Sequence, residues 1–223
     1  MKKRILRELS ERSLTGMELA ERLGIDRTGH VSRHLKELET AGFVGRDGGL
    51  NPETGKSAKI ESFRVRDNYT RFYLHYIEPR IDAIHAGSFE FASLAQLPGW
   101  QGMLGLQFEN LVVGHYLEFL PRLQERGSLI LSAAPYRKRA KEGRGLQIDL
   151  LLQMREAVYV VEIKRKESIG EEVVREVEEK VSKLAVKGRK SIRKALVYDG
   201  RLDPQVVEDG YFDAIVAVED LLS

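Results

Sequence analysis

The sequence predicts an α+β chain built in two successive parts, and three observations carry that prediction. Apolar residues recur at helical spacing through residues 2–40, and a short hairpin pattern follows them. From residue 101 onward come a helix, three strand-like runs, a charged helix and two further strand-like runs, which is the order of a mixed sheet flanked by helices (an α+β or α/β arrangement). The 223 residues are 42% hydrophobic and 31% charged, ordinary for a globular chain, and none of the apolar runs reaches the eighteen or so residues of a membrane span.

Each element has a local cause. Residues 2–12 carry Ile5, Leu6 and Leu9 on one helical stripe. Thr15 is placed to cap a second helix, residues 16–23, with Glu18 three positions on completing a capping box. That helix turns Leu19, Ala20 and Leu23 inward and ends at Gly24. Asp26 is placed to cap a third helix, which sets Val31, Leu35 and Leu38 on one face and stops at Gly42. The small Ala20 lets the helices cross closely, and two short helices around a glycine turn make a helix-turn-helix. Residues 43–46 and 60–65 read as strands of a hairpin, a wing, with the polar tip 47–59 between them. Residues 1–66 are thus a winged helix-turn-helix. Residues 49–57 superficially spell a phosphate-binding loop, but the first glycine comes one residue early. The stretch also lies between two strands, so no nucleotide-binding loop is expected.

Residues 69–86 are aromatic and helical in pattern, with Pro79 bending or breaking the run; within a connector of residues 67–99 they are expected to pack on both halves. The second domain, residues 100–223, then opens with a helix over 101–119 carrying Leu104, Phe108, Leu111 and Val112. Strands are predicted over 129–133, 146–153, 158–164, 195–198 and 214–218, with the charged helix over 170–186 and a basic loop over 137–144. His34 and His115 read as packed polar residues.

Charge and composition limit the functions. The net charge of +2 argues for no partner by itself, but residues 1–66 hold 14 Lys/Arg against 10 Asp/Glu, and the remainder 22 against 24. The absence of cysteine excludes disulfides, thiolate metal sites and cysteine nucleophiles, and fits a cytoplasmic chain. The basic start, residues 1–6, is not followed by the apolar stretch of a signal peptide. With Val31, Leu35 and Leu38 inward, the third helix presents Arg27, Thr28, His30, Arg33 and Lys36 outward, residue types that reach base edges and phosphates in a major groove. Arg46, Lys56 and Lys59 on the hairpin are placed for the flanking backbone. Double-stranded DNA is the expected partner; the alternative is a winged helix that only joins proteins.

The chemistry-bearing segment is 147–164. If residues 154–157 form a symmetric turn, paired residues have numbers summing to 311, which sets Asp149 directly opposite Glu162 on one face, with Lys164 two residues beyond on the same face. Opposed like charges destabilise a sheet, and here Leu151, Val158 and Val160 share the face and reduce the screening. A divalent cation would relieve the repulsion, and two hard carboxylates suit Mg²⁺ or Mn²⁺. Lys164 would then orient or help deprotonate a metal-bound water, or stabilise charge on a phosphate. A solvated face on which Lys164 neutralises one acid is the other reading, and both stay open on geometry alone.

Asp149, the spacer and Glu162-Ile163-Lys164 resemble the PD-(D/E)XK signature of restriction-endonuclease-like proteins, with Glu109 in the place of that family's helical acid and Ile148 where the family often has proline. More broadly, the winged helix, residues 63–73, Trp100 with Phe108-Glu109, and Glu162-Ile163-Lys164 together resemble the C-terminal half of archaeal-type ATPases that carry a DUF234 nuclease-like domain. The resemblance implies a metal held by Glu109, Asp149 and Glu162, with Lys164 completing a catalytic set that hydrolyses DNA phosphodiesters. In such proteins an AAA+-type ATPase module precedes the winged helix. Here the chain opens directly on the winged helix, as a standalone form or a piece of a longer ATPase. Two further readings are a DNA-binding regulatory module that keeps the fold without turnover, and an interaction platform for an ATPase partner.

Overall fold

Helix α1 (Lys2–Glu11) forms because Ile5 and Leu9 fall on one turn-spaced stripe, and both are fully buried. Strand β1 (Leu14–Thr15) follows. Thr15 then caps helix α2 (Gly16–Leu23): its hydroxyl accepts from the Glu18 N–H at 3.2 Å, and Glu18 Oε2 accepts from the Thr15 N–H at 2.7 Å. Gly24, at φ 66°, supplies the left-handed residue that ends α2. Helix α3 (Thr28–Thr40) buries Val31, Leu35 and Leu38 in one cluster with Leu19, Ala20 and Leu23, as the spacing predicts. Strand β2 (Val44–Asp47) pairs antiparallel with β3 (Ser62–Val65), and β1 adds on the other side of β3, giving the order β1-β3-β2. A two-residue strand is too short for any period to reveal.

The structure is a computed structural model, and it describes residues 1–25, 28–58, 61–89, 93–123, 129–138 and 145–221. Asp26, Arg27, Lys59 and most of the basic loop (139–144) lie outside the described residues. The chain divides into two compact units, one of residues 1–48 and 59–103, the other of residues 49–58 and 104–223.

In the first unit, Asp67 accepts from the Thr70 N–H at 2.7 Å to start helix α4 (Asn68–Phe72). The backbone continues through a π turn (Tyr73–Ile77) and a 3₁₀ turn (Glu78–Arg80) into α5 (Ile81–His85). Pro79 has no N–H and its ring crowds the carbonyl four residues back, so the run changes winding instead of continuing as α-helix. Arg80 donates to the carbonyls of His75 and Tyr76 at 3.3 Å each. Residues 69–86, expected to pack on both halves, fall within the first unit, where Phe72, Tyr76 and Trp100 form an aromatic cluster.

Helix α6 (Trp100–Gly114) belongs to the second unit from Leu104 onward. The predicted single helix breaks at His115, and α7 (Tyr116–Phe119) restarts after it; His115, expected to be packed, has a side chain 63% exposed. Strands β4 (Ile130–Lys138), β5 (Leu146–Met154), β6 (Ala157–Ile169), β7 (Ser191–Leu202) and β8 (Ala214–Ala217) form one sheet in that order. The β4–β5 and β5–β6 pairs are antiparallel, the β6–β7 and β7–β8 pairs parallel. Helices α8 (Glu172–Lys183) and α9 (Pro204–Glu208) bury Val173, Val177 and Val206 with Leu151, Val158, Val160 and Leu196 on one side. Phe108, Val112 and Phe119 cluster with Leu150, Leu152, Tyr159 and Val161 on the other. The β4–β5 register shifts between Ala134 and Tyr136, at Pro135, which has no N–H for the ladder and so falls at a bulge in an edge strand. This is the predicted mixed sheet flanked by helices.

The polar tip of the hairpin has an order that its sequence does not announce. Residues 49–58 fold as a turn of their own, closed by Asn51 N–H to the Lys56 carbonyl at 2.8 Å and Ala58 N–H to the Gly49 carbonyl at 2.7 Å. They pack in the second unit rather than standing in solvent. Leu50 donates its N–H to Ser132 Oγ at 3.0 Å and accepts from Gln153 Nε2 at 2.5 Å. Ser132 and Gln153 are themselves partners across β4 and β5, so one cross-strand pair satisfies both backbone groups of Leu50. Gly49 sits tight against the sheet: a Cβ there would stand 3.0 Å from both Ala134 Cβ and Ser132 Oγ, so these side chains would have to give by a few tenths of an ångström. Lys138 pairs with Glu53, and the Lys187 N–H donates to the Pro52 carbonyl at 2.7 Å.

Candidate functional site

Two groups of residues carry chemistry, one in each unit. In the first, α3 turns its apolar stripe inward, which leaves His30, Arg33 and Lys36 exposed. Thr28 is the first residue of the helix. Arg33 is 67% exposed at its side chain and stands 4.0 Å from Glu37, too far for a strong pair; Glu37 also meets Lys2 at 3.0 Å and the half-buried His34 at 3.5 Å. His30 and Lys36 have no ion-pair partner among the described residues. Arg46 is held differently. Its guanidinium donates to Glu39 at 2.7 Å and Glu61 at 3.1 Å and lies over the Phe63 ring, so two carboxylates already balance its charge. Lys56 is exposed, on the tip that packs with the second unit.

The second group lies on the α8 side of the larger sheet. Strands β5 and β6 pair Gln153 with Val158, Leu152 with Tyr159, Leu151 with Val160 and Leu150 with Val161, the register whose numbers sum to 311. The next position brings Asp149 beside Glu162, and there a side chain replaces the ladder: the Ile163 N–H donates to Asp149 Oδ2 at 3.1 Å. Glu162 is 1% exposed. Lys164 sits 2.9 Å from Glu162 Oε1 and donates to Glu176 Oε2 at 2.5 Å. Lys180 bridges the two acids: its ammonium pairs with Glu162 Oε2 and lies 3.6 Å from Asp149 Oδ1.

These surroundings move two protons. Burial pushes the Asp149 carboxyl up to about 7, with the carboxylates of Glu162 and Glu109 adding to the shift against Lys180 and the Ile163 N–H. Glu109, half-buried on α6, therefore acts on Asp149 through its field. Burial works to lower the Lys164 pKa, but the carboxylates of Glu162 and Glu176 outweigh it and the group is held above its ordinary value. These two carboxylates favour the charged form of Lys164.

Asp149, Glu162 and Lys164 come together as the register predicts. Among the described residues, though, no three acidic or histidine side chains are grouped closely enough to hold a metal ion. Sequence reasoning missed Glu176 and Lys180. The signal was present: residues 173, 176, 177 and 180 follow the spacing of one helix face, with valine at two of the inward positions and Glu and Lys at the others. A cavity of about 190 Å³ opens beside Lys180, lined by Leu146, Gln147, Glu176, Glu179 and Lys183 among others. Among the described residues no helix is long and apolar enough to cross a membrane.

Comparison with curated proteins finds no match. Among solved structures, protein VC1899 from Vibrio cholerae is similar at 14% identity and a TM-score of 0.37. The similarity covers 99% of this chain and 48% of that one, so this chain spans about half the length of that protein. Residues 3–45 match the family described as helix-turn-helix domain. The α1–α3 arrangement and the match agree: the front of this chain is a helix-turn-helix domain.

Proposed function

We propose that the chain binds double-stranded DNA through α3 and that its second unit is a metal-dependent nuclease-like module of the PD-(D/E)XK type, acting on DNA phosphodiesters. The observation that carries the DNA reading is the outward face of α3, where His30, Arg33 and Lys36 stand exposed on a helix whose other face is locked by Val31, Leu35 and Leu38. In the second unit, Asp149 and Glu162 offer hard oxygen donors on one face, with the buried Glu162 Oε1 facing the Lys164 ammonium at 2.9 Å. Two such carboxylates suit Mg²⁺ or Mn²⁺, and Glu109, which acts on Asp149 only through its field here, would have to move toward them to serve as the third acid. When bound, such an ion supplies Lewis acidity toward a phosphoryl oxygen and lowers the pKa of a water. Lys164, fixed by Glu162 and Glu176, stabilises negative charge on the phosphate. Lys180 competes with a cation for the two carboxylates it bridges. The resemblance to ATPases with a DUF234 domain adds an AAA+-type ATPase module as a proposed partner.

One observation favours a non-enzymatic DNA-binding module instead: Lys164 and Lys180 already balance Asp149 and Glu162 without a metal. Isothermal titration with Mg²⁺ and Mn²⁺, followed by a plasmid-nicking assay, separates the two. The nuclease reading expects binding and nicking by the wild type and neither by Asp149→Asn. DNA binding without metal uptake or nicking leaves the module reading standing.

A further inference from the structure

Residues 183–194 contain six Lys/Arg and no Asp/Glu, the most one-sided stretch among the described residues of the second unit. The segment joins α8 to β7 and is pinned along its length. The Lys187 N–H donates to Pro52, Ser191 N–H to the Glu156 carbonyl at 3.0 Å, and Lys190 Nζ to the Met154 carbonyl at 2.6 Å. Gly188 turns the chain at φ 80° between Lys187 and Arg189. Lys183 and Lys194 have acidic partners in Glu179 and Asp213, whereas Lys187 and Arg189 are exposed with no ion-pair partner among the described residues.

The tip 49–58 adds to the same surface. An ideal Cβ at Gly55 would lie 3.6 Å from Lys187 Cδ and 4.0 Å from its Nζ, and the next residue is the exposed Lys56. Of the acids beside these two loops, Glu53 pairs with Lys138 and Glu156 lies 3.6 Å from Arg155, while Glu179 and Asp199, which flank the segment in sequence, pair with Lys183 and Arg165. Uncompensated like charges on two adjoining, anchored loops repel, and an anion relieves the repulsion. The long side chains stand on exposed turns and not around a closed cavity, which suits an extended polyanion better than a small ligand.

We infer that Lys56, Lys187 and Arg189 form a second nucleic-acid contact, a phosphate-backbone surface on the second unit separate from the outward face of α3. It rests on the DNA-binding reading and assigns the backbone of duplex DNA to residues that reading does not use, Lys56 excepted. Each phosphate contact contributes about 0.9 to the slope of log affinity against log salt, so three contribute about 2.7, or about 40-fold in affinity between 50 and 200 mM salt.

The test is a salt titration of full-chain binding to a 20-base-pair duplex by fluorescence anisotropy. It compares the wild type, the triple variant Lys56→Ala/Lys187→Ala/Arg189→Ala and the α3 variant Arg33→Ala/Lys36→Ala, with a thermal melt confirming that each is folded. The triple variant should bind at least 10-fold more weakly at 50 mM salt, with its slope reduced by about 2–3. Unchanged affinity and slope in the triple variant, with loss in the α3 variant, overturns this surface and leaves the α3 reading intact. Loss in the triple variant alone supports the surface and overturns the α3 reading. No binding by the wild type at 50 mM salt overturns both.

Discussion

Replacing Asp149 by asparagine should stabilise the protein above neutral pH and do almost nothing at pH 4. The asparagine side chain has the shape of the protonated acid, and its amide oxygen can still accept the Ile163 N–H. In the unfolded chain the Asp149 carboxyl gives up its proton near pH 3.9, whereas in the fold it holds the proton up to about pH 7. Between those values the folded state binds more protons than the unfolded one, so stability falls as pH rises through this window, and the full cost is present above it. Three pKa units correspond to about 4 kcal/mol, an upper bound because Lys180 and the Ile163 N–H offset part of the cost of the charged Asp149; a gain of about 1–3 kcal/mol is expected at pH 8. Urea denaturation followed by far-UV circular dichroism at pH 4 and pH 8 measures it, with emission from Trp100 reporting the first unit separately. An asparagine variant less stable than the wild type at pH 8, or equally favoured at both pH values, refutes the reasoning.

Three further outcomes follow from the geometry. Lys180→Met leaves two buried acids with Lys164 alone and should cost about 3 kcal/mol in a thermal melt, part of it recovered by millimolar Mn²⁺; an unchanged melting temperature would remove Lys180 from the cluster. Arg33→Ala and Lys36→Ala should each weaken duplex binding several-fold and lower the salt slope by about 1, while Arg46→Ala, already paired with Glu39 and Glu61, should change affinity less than about 2-fold. Equal losses in a gel-shift titration would contradict that pairing. Gly200→Ala should destabilise by more than about 3 kcal/mol, because φ is 131° and a Cβ would stand 1.8 Å from the Lys166 carbonyl oxygen; a wild-type melting curve would show that β6 and β7 yield there.

Where the controlling interaction is local or periodic, the sequence was readable. The Thr15–Glu18 box, the Val31, Leu35 and Leu38 stripe and the β5–β6 register depend on residues a few positions apart or on a two-residue turn at Arg155-Glu156. Strands β6 and β7 extend past their predicted ends because backbone pairing continues through polar, exposed positions such as Ser168 and Ser191, where alternation gives no signal. The packing of the tip 49–58 was not legible for a related reason. Its polar residues look solvated, and what orders them is Ser132 and Gln153, some 80 to 100 positions away. Of the acid cluster, Asp149, Glu162 and Lys164 were legible from strand geometry alone. Lys180 was not, because a salt-bridging residue on a charged helix looks like its solvated neighbours until the buried stripe is phased.

The placement of residues 49–58 has a consequence for how this chain can be divided. The second unit is not a contiguous stretch of polypeptide: it includes ten residues enclosed within the hairpin of the first. No single cut yields two complete halves. A fragment starting at residue 104 would retain the whole five-stranded sheet yet leave the Ser132 hydroxyl and the nearly buried Gln153 amide without the backbone they serve. An N-terminal fragment ending at residue 66 would carry away a strip whose polar partners stay behind. A boundary drawn at the end of the hairpin, natural as it looks along the chain, therefore injures both pieces. The sheet-bearing half is a receptor for a peptide that its own chain supplies from another module, and separated fragments would be expected to recombine through that strip.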